Sequence, residues 1–110
     1  MPQSGEVVLI PFPYTDLATT KRRPVLVLRP ADIFGDFLAA AVTSQAGHEE
    51  AISLSQTDFR EGALPKTSYV RTTKLYTLNE RIVVHRFGIL TPEAFARAQM
   101  AICSALGCEY

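Results

Sequence analysis

The chain has 110 residues, with eleven Lys and Arg against eleven Asp and Glu, so its formal net charge is zero. This length fits one domain spanning residues 1–110, and a composition that is 47% hydrophobic and 20% charged excludes a disordered chain. A net charge of zero argues against a nucleic-acid partner, because phosphate binding usually draws on an excess of Lys and Arg.

The charges are unevenly spread along the chain. Residues 1–30 carry a net charge of +2, residues 31–59 carry −5, residues 60–86 carry +4 and the remainder carries −1. One interpretation is a polarised surface with a face suited to an anion. The other is charges scattered over solvated faces, and composition alone favours that second interpretation.

The first half of the chain predicts short β-strands. Glu6–Ile10 is a β-branched run closed by prolines, which cannot donate to a strand ladder. Residues 14–23 show neither the alternation of apolar and polar residues that marks a strand nor the apolar spacing that marks a helix, and they predict a loop. Val25–Leu28 and Phe37–Thr43 predict two buried strands, the second after a glycine-containing turn.

The second half of the chain predicts further strands and then a helix, because the spacing of its apolar residues changes near the C-terminus. Ala51–Leu54 predicts a fourth strand, Tyr69–Leu78 a long strand, and Ile82–Leu90 a last strand after a turn. Thr91-Pro-Glu then marks a helix start, and apolar residues at a spacing of three to four continue until Gly107. The fold class predicted is mainly β, a small barrel or sandwich of short strands with a terminal α-helix.

Several classes of protein are excluded by what the sequence lacks. No secretory signal is visible at the start, and the longest apolar run, Phe37–Val42, is too short to cross a bilayer. Two cysteines cannot form a four-ligand zinc site, and their spacing favours neither a disulfide nor a redox pair. We expect Cys103 to be a small core residue, Cys108 to be an exposed thiol, and the setting to be reducing and cytoplasmic.

No familiar catalytic or cofactor motif is present. The six glycines are isolated, so no phosphate loop forms, and no Ser lies in a nucleophile elbow. His48 and His85 are not spaced as metal ligands, and we expect each to be a surface or edge residue. The sequence therefore predicts no metal and no cofactor.

Two polar segments remain as candidates. Lys21-Arg22-Arg23-Pro24 lies where the predicted loop enters a buried strand, and the proline restricts how Arg23 is presented. Thr43-Ser44-Gln45 ends an apolar strand. Taken alone, the first segment usually means a solvated turn, and for the second an ordinary polar turn is the commoner interpretation.

Taken together, the segments resemble the MazF/PemK-like toxins, the endoribonucleases of bacterial toxin–antitoxin pairs. The matching segments, in order and spacing, are Gly5-Glu-Val-Val-Leu, Lys21-Arg-Arg-Pro-Val-Leu-Val-Leu28, Ala40-Ala-Val-Thr-Ser-Gln45, Leu64-Pro65 to Asn79, and Thr91-Pro92 onward. The resemblance covers nearly the whole chain.

The resemblance implies an SH3-like barrel, usually a homodimer, that cleaves single-stranded RNA at a short motif without a metal ion. Arg23 matches the family's catalytic arginine and Thr43 its catalytic threonine. A guanidinium and a hydroxyl suit the negative charge that builds on a phosphate when the ribose 2′-OH attacks it. The residues expected to bind RNA are Lys21, Arg22, Tyr14, Ser44, Gln45 and Arg71.

One departure bears on the mechanism. Some PemK-type members place an acid two residues after the arginine that Arg71 matches, and they use a His in the first loop. Here Thr73 occupies the acid position, and residues 14–23 contain no His. A carboxylate–histidine mechanism is therefore disfavoured, whereas the Arg23–Thr43 mechanism is compatible with the sequence.

The resemblance also implies a cognate antitoxin whose disordered, acidic tail lies across the RNA groove. One alternative is a non-enzymatic toxin like CcdB, which binds DNA gyrase through its terminal helix, although this chain lacks the terminal Trp-Gly-Ile of those proteins. A second alternative is an SH3-like binding module without catalysis.

Overall fold

The protein folds as a curled, seven-stranded antiparallel half-barrel with one C-terminal helix. The computed structural model describes residues 2–13, 20–48 and 51–108. The strands are β1 (Glu6–Pro13), β2 (Thr20–Arg29), β3 (Asp36–Thr43), β4 (Ala51–Leu54), β5 (Phe59–Gly62), β6 (Ser68–Asn79) and β7 (His85–Leu90), and the helix is α1 (Pro92–Ala105). The prediction of a mainly β fold with a terminal helix is confirmed.

The strand order in the sheet is β4-β6-β3-β2-β1-β7-β5. The consecutive strands β1, β2 and β3 form the centre as a meander. The later strand β6 inserts between β3 and β4, and β7 inserts between β1 and β5. The chain therefore completes both flanks of the sheet only after its central strands are in place.

Both faces of the central strands are buried, because successive side chains of a strand point to opposite faces. Leu26 and Ala40 belong to a large apolar cluster that also contains Ala94, Ala98 and Ile102 of α1. Val25 and Val27 of β2 belong to a second cluster with residues of β1 and β3, including Phe37. The helix thus covers one face of the sheet, and the second cluster lies on the other.

Strand lengths differ from the prediction mainly around residues 11–23. β1 continues through Pro11 and Pro13, and β2 starts at Thr20 rather than at Val25. Pairing of β1 with β7 ends at Leu9, so the later part of β1 is a sheet edge, where a proline's missing N–H interrupts no ladder. Lys21 and its two arginine neighbours consequently lie on a strand and not in a loop.

Two smaller differences and one confirmed prediction concern the second half. β5 was not predicted, since its four residues show no alternation. The last strand begins at His85 and not at Ile82, because Glu80–Ile82 forms a short 3₁₀ turn capped by Asn79. The expected helix start is confirmed: the Thr91 hydroxyl accepts a hydrogen bond from the Ala94 N–H, with Pro92 at the first helical position.

The expectation for the two cysteines is wrong. Cys103 and Cys108 form a disulfide, with their Cα atoms 5.2 Å apart. The helix ends with Gly107 at a φ of +82°, a conformation that glycine adopts readily, and the Cys108 N–H donates to the Cys103 carbonyl. This turn folds the chain back, so a spacing of five residues suffices to join the two sulfurs.

An ion pair ties α1 to the strand edge beside it. Arg97 lies 3.1 Å from Asp58, and its guanidinium also donates to the Ser53 carbonyl at 3.4 Å. Burial alone would raise the pKa of Asp58, but hydrogen bonds from the Ser55 N–H and from Arg97 outweigh it and lower that pKa below its ordinary value. Within the residues described, no helix is long and apolar enough to cross a membrane.

We expect Arg97→Met to lower the free energy of unfolding by about 0.5 kcal/mol near neutral pH, since the pair is partly exposed. A lowered carboxyl pKa stabilises the fold above the unfolded pKa, and that stabilisation is lost as the pH falls through the folded pKa. The difference between wild type and variant should therefore shrink between about pH 5 and pH 2, measured by urea unfolding. Arg60→Met, on the exposed side of β5, is the control; a pH-independent difference would contradict the assignment.

Candidate functional site

A cavity of about 280 Å³ opens on the sheet face opposite α1, where the ends of β2 and β3 meet β6. Its lining side chains are Arg23, Val25, Ala41, Val42, Thr43, Gln45, His48, Arg71, Lys74 and Tyr76. The second apolar cluster ends here. The same sheet face is therefore apolar and buried further along the strands and polar at the cavity.

Arg23 and Thr43 lie just beyond the paired part of β2 and β3. Pairing of these strands reaches Val25 opposite Ala41, and each of the two residues lies two positions further along its strand. Thr43 is 8% exposed, and Arg23 is half-buried. Residues that are twenty positions apart in the sequence thus line the same cavity.

The hydroxyl of Thr43 is oriented by the backbone that follows it. Its Oγ1 accepts a hydrogen bond from the Gln45 N–H at 3.1 Å, which closes a short turn at the end of β3. This bond leaves the hydroxyl proton of Thr43 and a second lone pair on its Oγ1. Thr43 is thus held at the cavity with a proton that it can donate to a ligand.

A bulge in β6 supplies two further cations. Ala40 pairs with Leu75 and Val42 pairs with Val70, so residues 71–74 of β6 face a single residue of β3. In a regular strand, side chains three positions apart point to opposite faces. The bulge instead brings Arg71 and Lys74 into the same cavity, as bulges do when they redirect side chains.

Two neighbouring cavities extend the site past Thr43. One, of about 280 Å³, shares Arg23 and Thr43 with the first and adds Lys21, Arg22, Ser44 and Lys66, among others. The next, of about 220 Å³, shares Lys66 and reaches Ser55 and Phe59. We call the three cavities together the basic groove; the Arg23–Thr43 pair lies at the boundary between the first two.

The basic groove is cationic although the protein is neutral. Its lining side chains include six Lys and Arg residues, among them all three lysines of the chain, and no Asp or Glu among the residues described. Acidic side chains pair elsewhere: Glu6 and Glu61 bind Arg86, and Asp58 binds Arg97. The contact with Glu6 raises the pKa of Arg86. The net charge of zero thus combines a basic groove with acidic residues that lie outside it.

The structure brings together most of the residues predicted from sequence. Arg23, Thr43, Gln45 and Arg71 line the first cavity. Lys21, Arg22 and Ser44 line the second, together with Arg23 and Thr43. Tyr14 lies outside the described residues. No group of three or more His, Cys, Asp or Glu that could hold a metal ion occurs within the described ranges.

Four lining residues with titratable side chains were missed by sequence reasoning: His48, Lys66, Lys74 and Tyr76. His48 was expected on the surface, but it is half-buried and lines the first cavity. Its position five residues after Thr43 was the available signal. Lys74 was not predicted, because the alternation of side chains along a regular strand would place it on the sheet face opposite Arg71. The other histidine, His85, lies outside the groove with its ring edge-on to Phe87, at 4.9 Å between centroids.

Comparison with known proteins identifies the family. The family model described as "PemK-like, MazF-like toxin of type II toxin-antitoxin system" matches residues 3–106. No curated protein sequence matches this chain.

Solved structures with similar folds include proteins from mycobacteria and from Deinococcus radiodurans. A mycobacterial endoribonuclease in complex with its cognate antitoxin is 21% identical, with a TM-score of 0.74 over 99% of this chain and 96% of that chain. A MazE–MazF structure from Deinococcus radiodurans is 24% identical, with a TM-score of 0.78 over 98% of both chains. A MazF structure from the same organism is 25% identical, with a TM-score of 0.74 over 96% of both chains. With the family match over almost its whole length, this chain belongs to the PemK-like, MazF-like toxins of type II toxin–antitoxin systems.

Proposed function

We propose that this toxin is an endoribonuclease that cleaves single-stranded RNA at a short sequence motif. The observation that supports it most is that Arg23 and Thr43 together line two adjoining cavities of the basic groove. A strand of RNA lies along the groove, with the phosphate to be cut at the boundary between the first two cavities. The endoribonuclease activity of the mycobacterial structural relative points in the same direction.

The reaction uses the RNA's own nucleophile. The ribose 2′-OH attacks the adjacent phosphorus, the bond from phosphorus to the 5′-oxygen breaks, and a 2′,3′-cyclic phosphate and a 5′-hydroxyl result. Negative charge builds on the non-bridging phosphate oxygens in the transition state. The Arg23 guanidinium binds these oxygens through a fork of N–H groups, and the Thr43 hydroxyl donates to one of them. Since no bound water is activated, the reaction proceeds without a metal ion.

The remaining groove residues bind and select the substrate. Lys21, Arg22 and Arg71 contact phosphates, which fixes position without reading sequence. Ser44 and Gln45 are exposed at the end of β3 and present hydrogen-bonding groups to a base edge. Tyr14 stacks on an unpaired base.

Two further proposals concern partners. The cognate antitoxin inhibits the toxin by laying a disordered, acidic segment in the basic groove, where its carboxylates meet the same cations as RNA. The toxin acts as a homodimer in the cytoplasm; Ile33 and Phe34, adjacent apolar side chains that are 92% and 75% exposed, support a protein-binding surface.

We expect Arg23→Met to reduce the cleavage rate at least about 10³-fold, and Thr43→Val about 10²-fold, because each removes a donor to the transition state. Single-turnover cleavage of a mixed RNA pool, with mapping of 5′-hydroxyl ends, measures the loss. Arg29→Met is the matched control, since Arg29 lies on the same strand outside the groove. Full activity of Arg23→Met would refute the mechanism.

A substrate with 2′-deoxyribose at the cleaved position should bind but not react, because the nucleophile is missing. A chelator should leave cleavage of ordinary RNA unchanged. Cleavage of the deoxy substrate would exclude attack by the 2′-OH. If no RNA in the pool is cut, with or without chelator, a CcdB-like toxin or a non-catalytic binding module becomes the better description.

Lys66→Gln should weaken binding of the uncleavable RNA and lower the salt dependence, the slope of log K against log salt, by about 0.7. The reason is that Lys66 lies where the second and third cavities join and would contact one phosphate. Fluorescence anisotropy at several salt concentrations measures the slope. Arg81→Gln, an exposed residue outside the groove, should leave it unchanged. An unaltered slope for Lys66→Gln would mean that RNA does not reach the third cavity.

A further inference from the structure

The cavity beside Thr43 is rich in hydrogen-bond donors and poor in groups that can take up a proton. Arg23, Arg71 and Lys74 carry only donors on their charged ends. The Thr43 Oγ1 already accepts from the Gln45 N–H. No carboxylate lines the cavity within the described part of the chain. Attack by a ribose 2′-OH nevertheless releases a proton, which needs an acceptor.

His48 is the lining residue that meets this need. It lies half-buried in the loop after β3, at the edge of the same cavity as Arg23 and Thr43. A neutral imidazole has one nitrogen with a free lone pair, and it is the side chain that ordinarily changes charge between pH 5 and 8. It therefore combines the position and the chemistry of a general base.

We propose that His48 is the general base of the cleavage reaction, an inference that rests on the proposed function. The neutral imidazole takes the proton from the 2′-OH as the bond from O2′ to phosphorus forms. The bond from phosphorus to O5′ breaks, and the departing oxygen takes a proton from a water molecule. The imidazolium then returns its proton to the resulting hydroxide, so that atoms and charges balance.

Among the described residues, the other titratable groups that line this cavity come from two strands. Arg23 extends from β2, and Arg71, Lys74 and Tyr76 extend from β6. Side chains of these types ordinarily keep their protons throughout the range in which imidazole titrates. A rate that falls as the pH drops through this range therefore reports on His48.

The decisive experiment is chemical rescue. His48→Ala should lower the single-turnover cleavage rate by about 10² to 10⁴-fold, the usual contribution of a general base. Binding of RNA with 2′-deoxyribose at the cleaved position should be almost unaffected. Added imidazole should restore cleavage in proportion to its free-base concentration, which a merely structural role would not produce. His85→Ala, outside the groove, should keep wild-type activity and gain nothing from imidazole.

His48→Gln provides a second variant that keeps a polar side chain of similar size. Its rate should be low and should no longer fall on the acid side of the pH profile, whereas its thermal unfolding should match the wild type. Wild-type activity in both variants overturns the proposal for His48. The same holds if the variants lose cleavage activity, are not rescued by imidazole, and still show a rate that falls on the acid side of the pH profile. These results leave the proposed function intact, provided that the wild type cleaves RNA and Arg23→Met does not. A wild type that cuts no RNA overturns the proposed function instead.

Discussion

The antiparallel register of β2 against β3 is the constraint on which the site depends. It sets Val25 opposite Ala41, and two residues beyond this pair Arg23 and Thr43 line the same cavities. A slip of one residue would turn every side chain of a strand to the other face. Because both faces are filled by separate apolar clusters, such a slip would force the side chains of each cluster into the space packed for the other. Core packing therefore holds the guanidinium and the hydroxyl in place at the strand ends.

The second determinant is the separation of charge within a neutral protein. The carboxylates of Glu6 and Asp58 form ion pairs with Arg86 and Arg97. The charged side chains that line the groove are Lys and Arg residues. This arrangement gives strong local attraction for phosphate and weak attraction at a distance, because opposite charges elsewhere cancel the long-range field. A net charge of zero thus does not exclude a phosphate ligand, but it weakens the long-range attraction of such a ligand to the protein.

Much of the fold follows from patterns that act locally, such as the β-branched runs and the Thr91 helix cap. Features that depend on a neighbouring strand were predicted poorly. Pro11 marks a sheet edge rather than a strand end, which only the length of β7 decides. Lys74 joins Arg71 through a bulge that alternation cannot reveal, and His48 reaches the cavity through a loop. The disulfide of Cys103 depends on a reversal of the chain after the helix. The local sequence was enough to identify candidate site residues. Which of them line the same cavity depends on how the strands and loops pack together.

The strand order also determines when the site becomes complete during synthesis. Arg23 and Thr43 are present once the central meander has been made, but Arg71 and Lys74 arrive on β6. Since β6 lies between β3 and β4, the earlier β4 has no neighbour to pair with until β6 has emerged from the ribosome. The helix that covers one face follows later still. A chain still being translated therefore lacks the Arg71 and Lys74 side of the groove until β6 has emerged and paired with β3.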